Sequence, residues 1–342
     1  ERGIYAERMN ANMVNNNFVN GDIVGIRSRN TQARTNTIAY SQFSAVATGV
    51  HLSENTNNSY QIMNNQFSDM TFGINAETAN VSITLNSFTN LHAGVRARNL
   101  YPTINPFVID VWENNFQGSA HGVYAFNTGA NVQYNTLNDV HKKGVGIYYT
   151  RGNIVNVNYN YIQNYNPNTS IGVDIFNVYN NAINVNNNNL LNGEYGVLLQ
   201  NLPFMSGANT INIEDNIIKE YEYGIYQSEH NLTNIKSNNL EDNAIGITLK
   251  GGKGSSVLEN DIIGVATAQY IGIDVEMSED NTFECNDIHY MEYCVYFRQT
   301  ANKNTLLNNT FGDADYGVTL DNAIIGAQGT PTLANDNRWT GN

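Results

Sequence analysis

The chain has 342 residues and a mass of 38.0 kDa, with 17 basic against 31 acidic side chains, a net charge of -14 and 41% hydrophobic residues. No apolar run approaches the roughly 18 residues of a membrane-spanning helix, no charged-then-apolar leader opens it, and no basic stripe is available for nucleic acid. The hydrophobic content is too high for a disordered tract, so the 61 Asn residues must serve a folded structure.

A Gly followed by Ile or Val recurs at Gly3, Gly25, Gly49, Gly73, Gly94, Gly122, Gly146, Gly172, Gly196, Gly224, Gly246, Gly272 and Gly317, and Cys294 takes the Gly place between the last two. The steps run from 21 to 28 residues and give fourteen copies. After each Gly the residues alternate. The first and third are mostly apolar (Val50 and Leu52, Val123 and Ala125, Ile247 and Leu249), and those between them are mixed (Arg27, His51, Arg96, Asp174). That is the period of a strand with one buried face. An Asn-x-apolar phrase follows, and the residues Asn16, Asn65, Asn86, Asn114, Asn135, Asn160, Asn188, Asn238, Asn260, Asn286, Asn309 and Asn337 are expected to form a ladder, with Ser41 breaking the pattern. Turns such as Val19-Asn20-Gly21 and Leu191-Asn192-Gly193 come next. Asn suits such corners because it tolerates the left-handed backbone region and bonds adjacent backbone.

Short strands repeating every 24 residues or so predict an all-β chain: one right-handed parallel β-helix of about fourteen rungs over residues 1–342. Each copy cannot bury its own apolar face, so stacking closes the core. Longer steps, such as Gly94 to Gly122, place insertions in loops. Propeller blades need about 40 residues per repeat, and the leucine-rich phrase is missing.

The Gly-Ile…Asn-x-Ile/Phe pattern resembles the right-handed parallel β-helix superfamily, which includes pectate lyases, polygalacturonases and tailspikes. Its Asn-rich form resembles repeat regions of large secreted surface proteins of Bacteroidota. The resemblance implies the fold and leaves the activity open. A polygalacturonase-like site would show Asn-Thr-Asp, Asp-Asp, His-Gly and Arg-Ile-Lys stations, and only His121-Gly122 is present, at an ordinary rung start. The Asp-Pro-His phrase of alginate epimerases is absent, and the acids that a calcium-dependent lyase would need are scattered.

The fourth residue after each late rung start reads Lys250, Glu276, Arg298, Asp321. Glu7 with Arg29 and Glu77 with Arg98 repeat the alternation, which predicts a structural salt ladder on neighbouring strands. A second outward group, Arg96, Arg98, Tyr124, Phe126, Tyr148, Asp174 and Phe176, is the candidate ligand-binding face, for sugar rings or a protein, unless a long loop covers it. Tyr195, Tyr223, Tyr293 and Tyr316 precede their Gly and are expected in the core. The six His residues show no metal-ligand spacing, and Gly251-Gly252-Lys253-Gly254 lacks the frame of a phosphate loop. Cys285 and Cys294, nine apart, fit two thiols slightly better than a disulfide.

No amphipathic cap precedes Gly3, and the sequence stops just after an Asn-x-aromatic phrase, which suggests a segment of a longer chain. The main expectation is therefore a structural, adhesive rod module of a large extracellular or cell-surface protein, with no catalytic residue, metal or cofactor. Its expected partners are copies of itself and cell-surface glycans, with no nucleic acid and no membrane insertion. The alternative is a polysaccharide-binding or polysaccharide-degrading protein on the same scaffold, and a trimeric tailspike-like fibre is a third reading.

Overall fold

The computed structural model describes the chain except residues 1, 8–11, 20–22, 30–34, 101–106, 180, 203–208, 266–269, 331–332, 335–336 and 341–342. Part of the predicted turn at residues 19–21, and most of the loop insertion expected after Gly94, lie outside the described residues. The described chain is all-β, a parallel β-solenoid, and divides into two compact units, residues 1–166 and 167–342.

In unit 1 a typical turn has three strands. The Gly-led strand His121–Phe126 enters a first sheet, Gly129–Gln133 a second and Thr136–Val140 a third. Each strand pairs in parallel with its counterparts one turn away. Val123, for example, sits between Val95 and Val145. Unit 2 repeats the scheme with Ile245–Lys250, Ser256–Leu258 and Asp261–Ile263. The units together hold about 12 regular turns, slightly fewer than the fourteen copies counted. The first copy keeps all three strands, whereas the last departs from the scheme. Phe18 is only half-buried, and after Tyr316–Asp321 a short antiparallel pair replaces the middle strand.

The alternation read from the sequence becomes the core: Val95, Val123, Ile147, Ile225, Ile247 and Val295 are fully buried. In unit 1 the apolar residue of the Asn phrase is often Phe, and Phe18, Phe43, Phe67, Phe88 and Phe116 stack with centroids 4.6–4.9 Å apart. The rung Gly is needed here. A Cβ on Gly49 would come within 2.7 Å of the Phe67 ring and 2.8 Å of the Gly73 carbonyl oxygen.

The Asn ladder forms as expected. The Asn86 Oδ1 accepts from the backbone N–H and the Nδ2 of Asn65, at 2.9 and 3.0 Å. The Asn65 Nδ2 also donates to the carbonyl oxygens of Ile38 and Met63. Ser41 substitutes for an Asn, taking the Asn16 N–H on its hydroxyl and giving its own N–H to Asn65 Oδ1. Unit 2 runs the same ladder through Asn188, Asn216, Asn238, Asn260, Asn286 and Asn309 to Asn337. Asn216 is a member the sequence reading omitted.

One register differs from the sequence reading. His121 pairs with Lys143 and Val123 with Val145, so Gly144, not Gly146, is the rung glycine. Gly146 falls in an outward column beside Tyr124.

Candidate functional site

The outward columns of the first sheet carry the chemistry. In unit 1 one column runs Arg27, His51, Asn75, Arg96, Tyr124, Gly146, and the next runs Arg29, Ser53, Glu77, Arg98, Phe126, Tyr148. Five of the predicted binding residues therefore share one face: Arg96, Arg98, Tyr124, Phe126 and Tyr148. The other two lie in unit 2, where Asp174 is buried and Phe176 half-buried.

The missing side chain at Gly146 shapes this face. The Tyr148 ring folds into the space, within 2.7 Å of where a Cβ would stand, and stacks on Tyr124 at 4.8 Å. That fold leaves Tyr148 only 8% exposed, so it is a wall of the face and not a projecting platform. Lys143 Nζ donates to the Tyr148 hydroxyl at 2.8 Å and lies 5.0 Å from its ring centre. Arg96 lies 5.0 Å from the centre of the Phe72 ring. Both cations thus rest on aromatic faces, an arrangement that favours desolvated positive charge.

His121 sits among these groups. Its ring meets His92 edge to face at 5.4 Å and Tyr124 at 6.1 Å. Its Nδ1 is buried without a partner among the described residues. Burial, then the nearby His92, Lys143 and Lys142, lower its pKa to about 4, so the imidazole is neutral at pH 7. With a pKa near 4 the imidazole is a weak proton acceptor at neutral pH, and it sits beside the cations and the phenol as a neutral hydrogen-bonding group. Neither His121 nor Lys143 was among the predicted site residues. Counted from Gly146, Lys143 lay outside the strand, and His121 read as a filler before Gly122.

The salt ladder of unit 2 is present from Lys250 to Arg298, with Asp274 as a further member, while Asp321 accepts from the Tyr296 hydroxyl at 3.1 Å. Lys250 Nζ approaches Glu276 at 2.9 Å, and Arg298 bonds Asp274 through Nε and a terminal nitrogen at 2.9 and 2.7 Å while reaching Glu276 at 3.1 Å. Burial pushes the Asp274 carboxyl up despite Arg298. In unit 1, Arg98 meets Glu77 at 3.5 Å, and His51 meets the same carboxylate at 3.3 Å.

The four tyrosines expected in the core are placed differently. Tyr195, Tyr223 and Tyr293 are half-buried and Tyr316 is 54% exposed. They stack outside the sheet as Tyr195 on Tyr223 and Tyr293 on Tyr316, each at 5.0 Å. The interior has no room for them, because third-sheet side chains such as Ile218 and Leu240 already press against the rung glycines.

The architecture defines the class first: a parallel β-solenoid with a patterned outer face. The family described as periplasmic copper-binding protein (NosD) matches residues 130–328, and the chain belongs to it. No curated protein matches the sequence. Among solved structures the chain is similar to a double mutant of the periplasmic alginate epimerase AlgG, at TM-score 0.50 and 11% identity over 95% of this chain and 78% of that one. The unsubstituted AlgG gives 0.49 at 12% identity, over 90% and 78%. A PL6 alginate lyase bound to a trisaccharide gives 0.45 at 11%, over 92% and 80%.

The parallel β-helix resemblance therefore holds, and nothing among these matches supports the link to surface proteins of Bacteroidota. They also correct the main functional expectation. The family is described as a periplasmic copper-binding protein, which overturns the adhesive rod expectation.

Copper asks for converging imidazole, thiol or thioether donors. Among the described residues no group of three or more His, Cys, Asp or Glu is placed to hold a metal ion. Cys285 and Cys294 are free thiols. Cys294 is buried against the Ile288 carbonyl oxygen, and its pKa is pushed up to about 12 by burial. The described residues do not fit the metal in the family description. Nor is any described helix long and apolar enough to cross a membrane.

Proposed function

We propose that this chain is a polysaccharide-active protein of the cell envelope or exterior, which holds an acidic glycan along the first-sheet face of unit 1. One observation carries the reading: in a chain of net charge -14, Arg96 and Lys143 rest on aromatic rings of one face, and Lys143 stands near a neutral His121 whose Nδ1 has no partner among the described residues. Cations held on low-dielectric ring faces attract carboxylates more strongly than solvated ones do. Tyr124 supplies apolar surface for a pyranose ring, and Arg98 extends the positive face by one column. The family's periplasmic description supports a location outside the cytoplasm.

A glycan array spanning acidic and neutral polysaccharides, with lyase and reducing-end assays on the ligands that bind, tests this proposal. Alginate, named for the epimerase that shares the fold, is the first probe. Arg96→Ala and Tyr124→Ala are expected to weaken binding of an acidic glycan about tenfold each, the scale of one charge-assisted contact. Arg98→Ala and Tyr148→Ala should weaken it less, since Arg98 is shared with Glu77 and Tyr148 is largely covered. His121→Gln, which keeps a neutral hydrogen-bonding group, should leave binding in place. Failure of every acidic polysaccharide to bind would remove the proposal.

A further inference from the structure

We infer, resting on the acidic-glycan reading, that the ligand lies across the strands of unit 1 and that Arg27 and Arg96 hold two of its anionic groups at once, so that it is an oligomer long enough to span both. The register sets the span. Arg27, His51, Asn75 and Arg96 follow one another on successive strands in one outward column. Three strand steps separate the backbones of the two arginines, roughly 14 Å at the usual sheet spacing. Two charged groups of one chain match that separation better than one does.

These two arginines are the cations left over on the first sheet of unit 1. Arg98, one column away, is held by Glu77 at 3.5 Å. In unit 2, Lys250 and Arg298 are taken up by Asp274 and Glu276. Neither Arg27 nor Arg96 has an ion pair among the described residues. Arg96 rests on the Phe72 ring, and the Nε of Arg27 is buried without a partner. Both side chains are half-buried, so each keeps part of its surface open to solvent. A cation partly withdrawn from water, with no counter-ion in its own chain, gains most from an anion supplied from outside.

The path between the arginines does not repel such a ligand. No carboxylate stands in the column between them. Asn75 is short, uncharged and buried, and forms the floor. His51 bonds the Glu77 carboxylate at 3.3 Å, so that group is already shared between His51 and Arg98. Burial lowers the His51 pKa against the pull of Glu77, and Arg27 and Arg96 lower it further, so the imidazole is neutral at pH 7. With its Nε2 proton on Glu77, the Nδ1 of His51 is left to accept from a sugar hydroxyl.

Calorimetric titration of the whole chain with oligouronates of increasing length tests the inference, and a second series of sulfated oligosaccharides decides which anionic group is taken. In at least one series, affinity is expected to rise about tenfold at the length that first spans the two arginines. Arg27→Ala should erase that rise, while Arg27→Lys, which keeps the charge, should retain most of it. Arg96→Ala should weaken long and short oligomers alike. The inference is overturned, with the acidic-glycan reading intact, if long oligomers bind through Arg96 but Arg27→Ala is silent at every length, or if a single acidic sugar already shows the whole Arg27 effect. If no acidic oligomer binds at any length, both fall.

Discussion

The two units share one repeat and furnish it differently. Unit 1 fills the apolar place of its Asn phrase with a run of stacked Phe rings, whereas unit 2 uses Leu190, Ile218, Leu240, Ile262 and Ile288. At the left-handed corner residue just before the ladder, unit 1 places Tyr40, Leu85, Tyr134 and Tyr159, with φ between 50° and 57°, beside Asn15, Asn64 and Glu113. Unit 2 places Asn187, Asp215, Ser237, Glu259, Cys285 and Asn308 there, none of them aromatic. Bulky side chains are unfavourable in that backbone region, and Asn is the tolerated choice. The same scaffold thus accepts aromatic crowding in unit 1 and relaxes it in unit 2. What the repeat fixes is the hydrogen-bond frame, and what varies is the matter hung on it.

The contrast can be attacked at four depths. The deepest cut is Phe67→Ala, which removes one ring from a continuous stack and should cost about 3–5 kcal/mol in a denaturant titration. A Phe67→Ala, Phe88→Ala double-mutant cycle should show strong coupling, and the equivalent cycle at Leu240 and Ile262 weaker coupling.

Acid comes next. His230 in unit 2 is buried and its pKa is lowered to about 4, chiefly by burial, below its ordinary 6.5. The unfolded chain then binds the extra proton between those values, so stability is full above pH 6.5 and falls as the pH drops toward 4. The loss from His230 is about 3 kcal/mol. His121 shifts in the same direction, but its partial exposure makes its share smaller. Denaturant midpoints measured from pH 7 to 4 should fall, and His230→Gln should flatten the slope.

Asn114→Ala and Asn216→Ala probe the shared frame. Each leaves buried backbone donors and carbonyls unpaired, at about 1–3 kcal/mol, and the losses should match between units. Unequal losses would mean that the frame is not common to both. The smallest effect is expected at Tyr134→Asn. Relief of the left-handed strain and loss of the stacks with Trp112 and Tyr159 should nearly cancel, within about 1 kcal/mol.

Much of the fold was legible because its causes are local and periodic. A period of two after each Gly sets the buried face, and one Asn per copy sets the ladder, so both could be read without any contact map. The salt ladder was legible for the same reason, since Lys250, Glu276 and Arg298 share one offset from their rung starts at Gly246, Gly272 and Cys294. The candidate site was only half visible. Arg96, Arg98, Tyr124, Phe126 and Tyr148 could be aligned, but Lys143 depended on choosing Gly144 over Gly146, both of which precede a β-branched residue, and His121 read as a filler before Gly122. Tyr195 and Tyr223 were misplaced because parity alone does not show that Ile218 and Leu240 already occupy the interior.

The ladder has a direction. Where one Asn follows another in the described links, the amide oxygen of the later one receives the donors of the earlier one, as Asn86 does for Asn65 and Asn260 for Asn238. A chain emerging from the ribosome therefore completes each layer with the one that follows it, and only the newest layer waits with open donors. Growth from either end leaves a seam one layer wide: in the order of synthesis that seam offers donors, and from the C-terminal side it would offer acceptors.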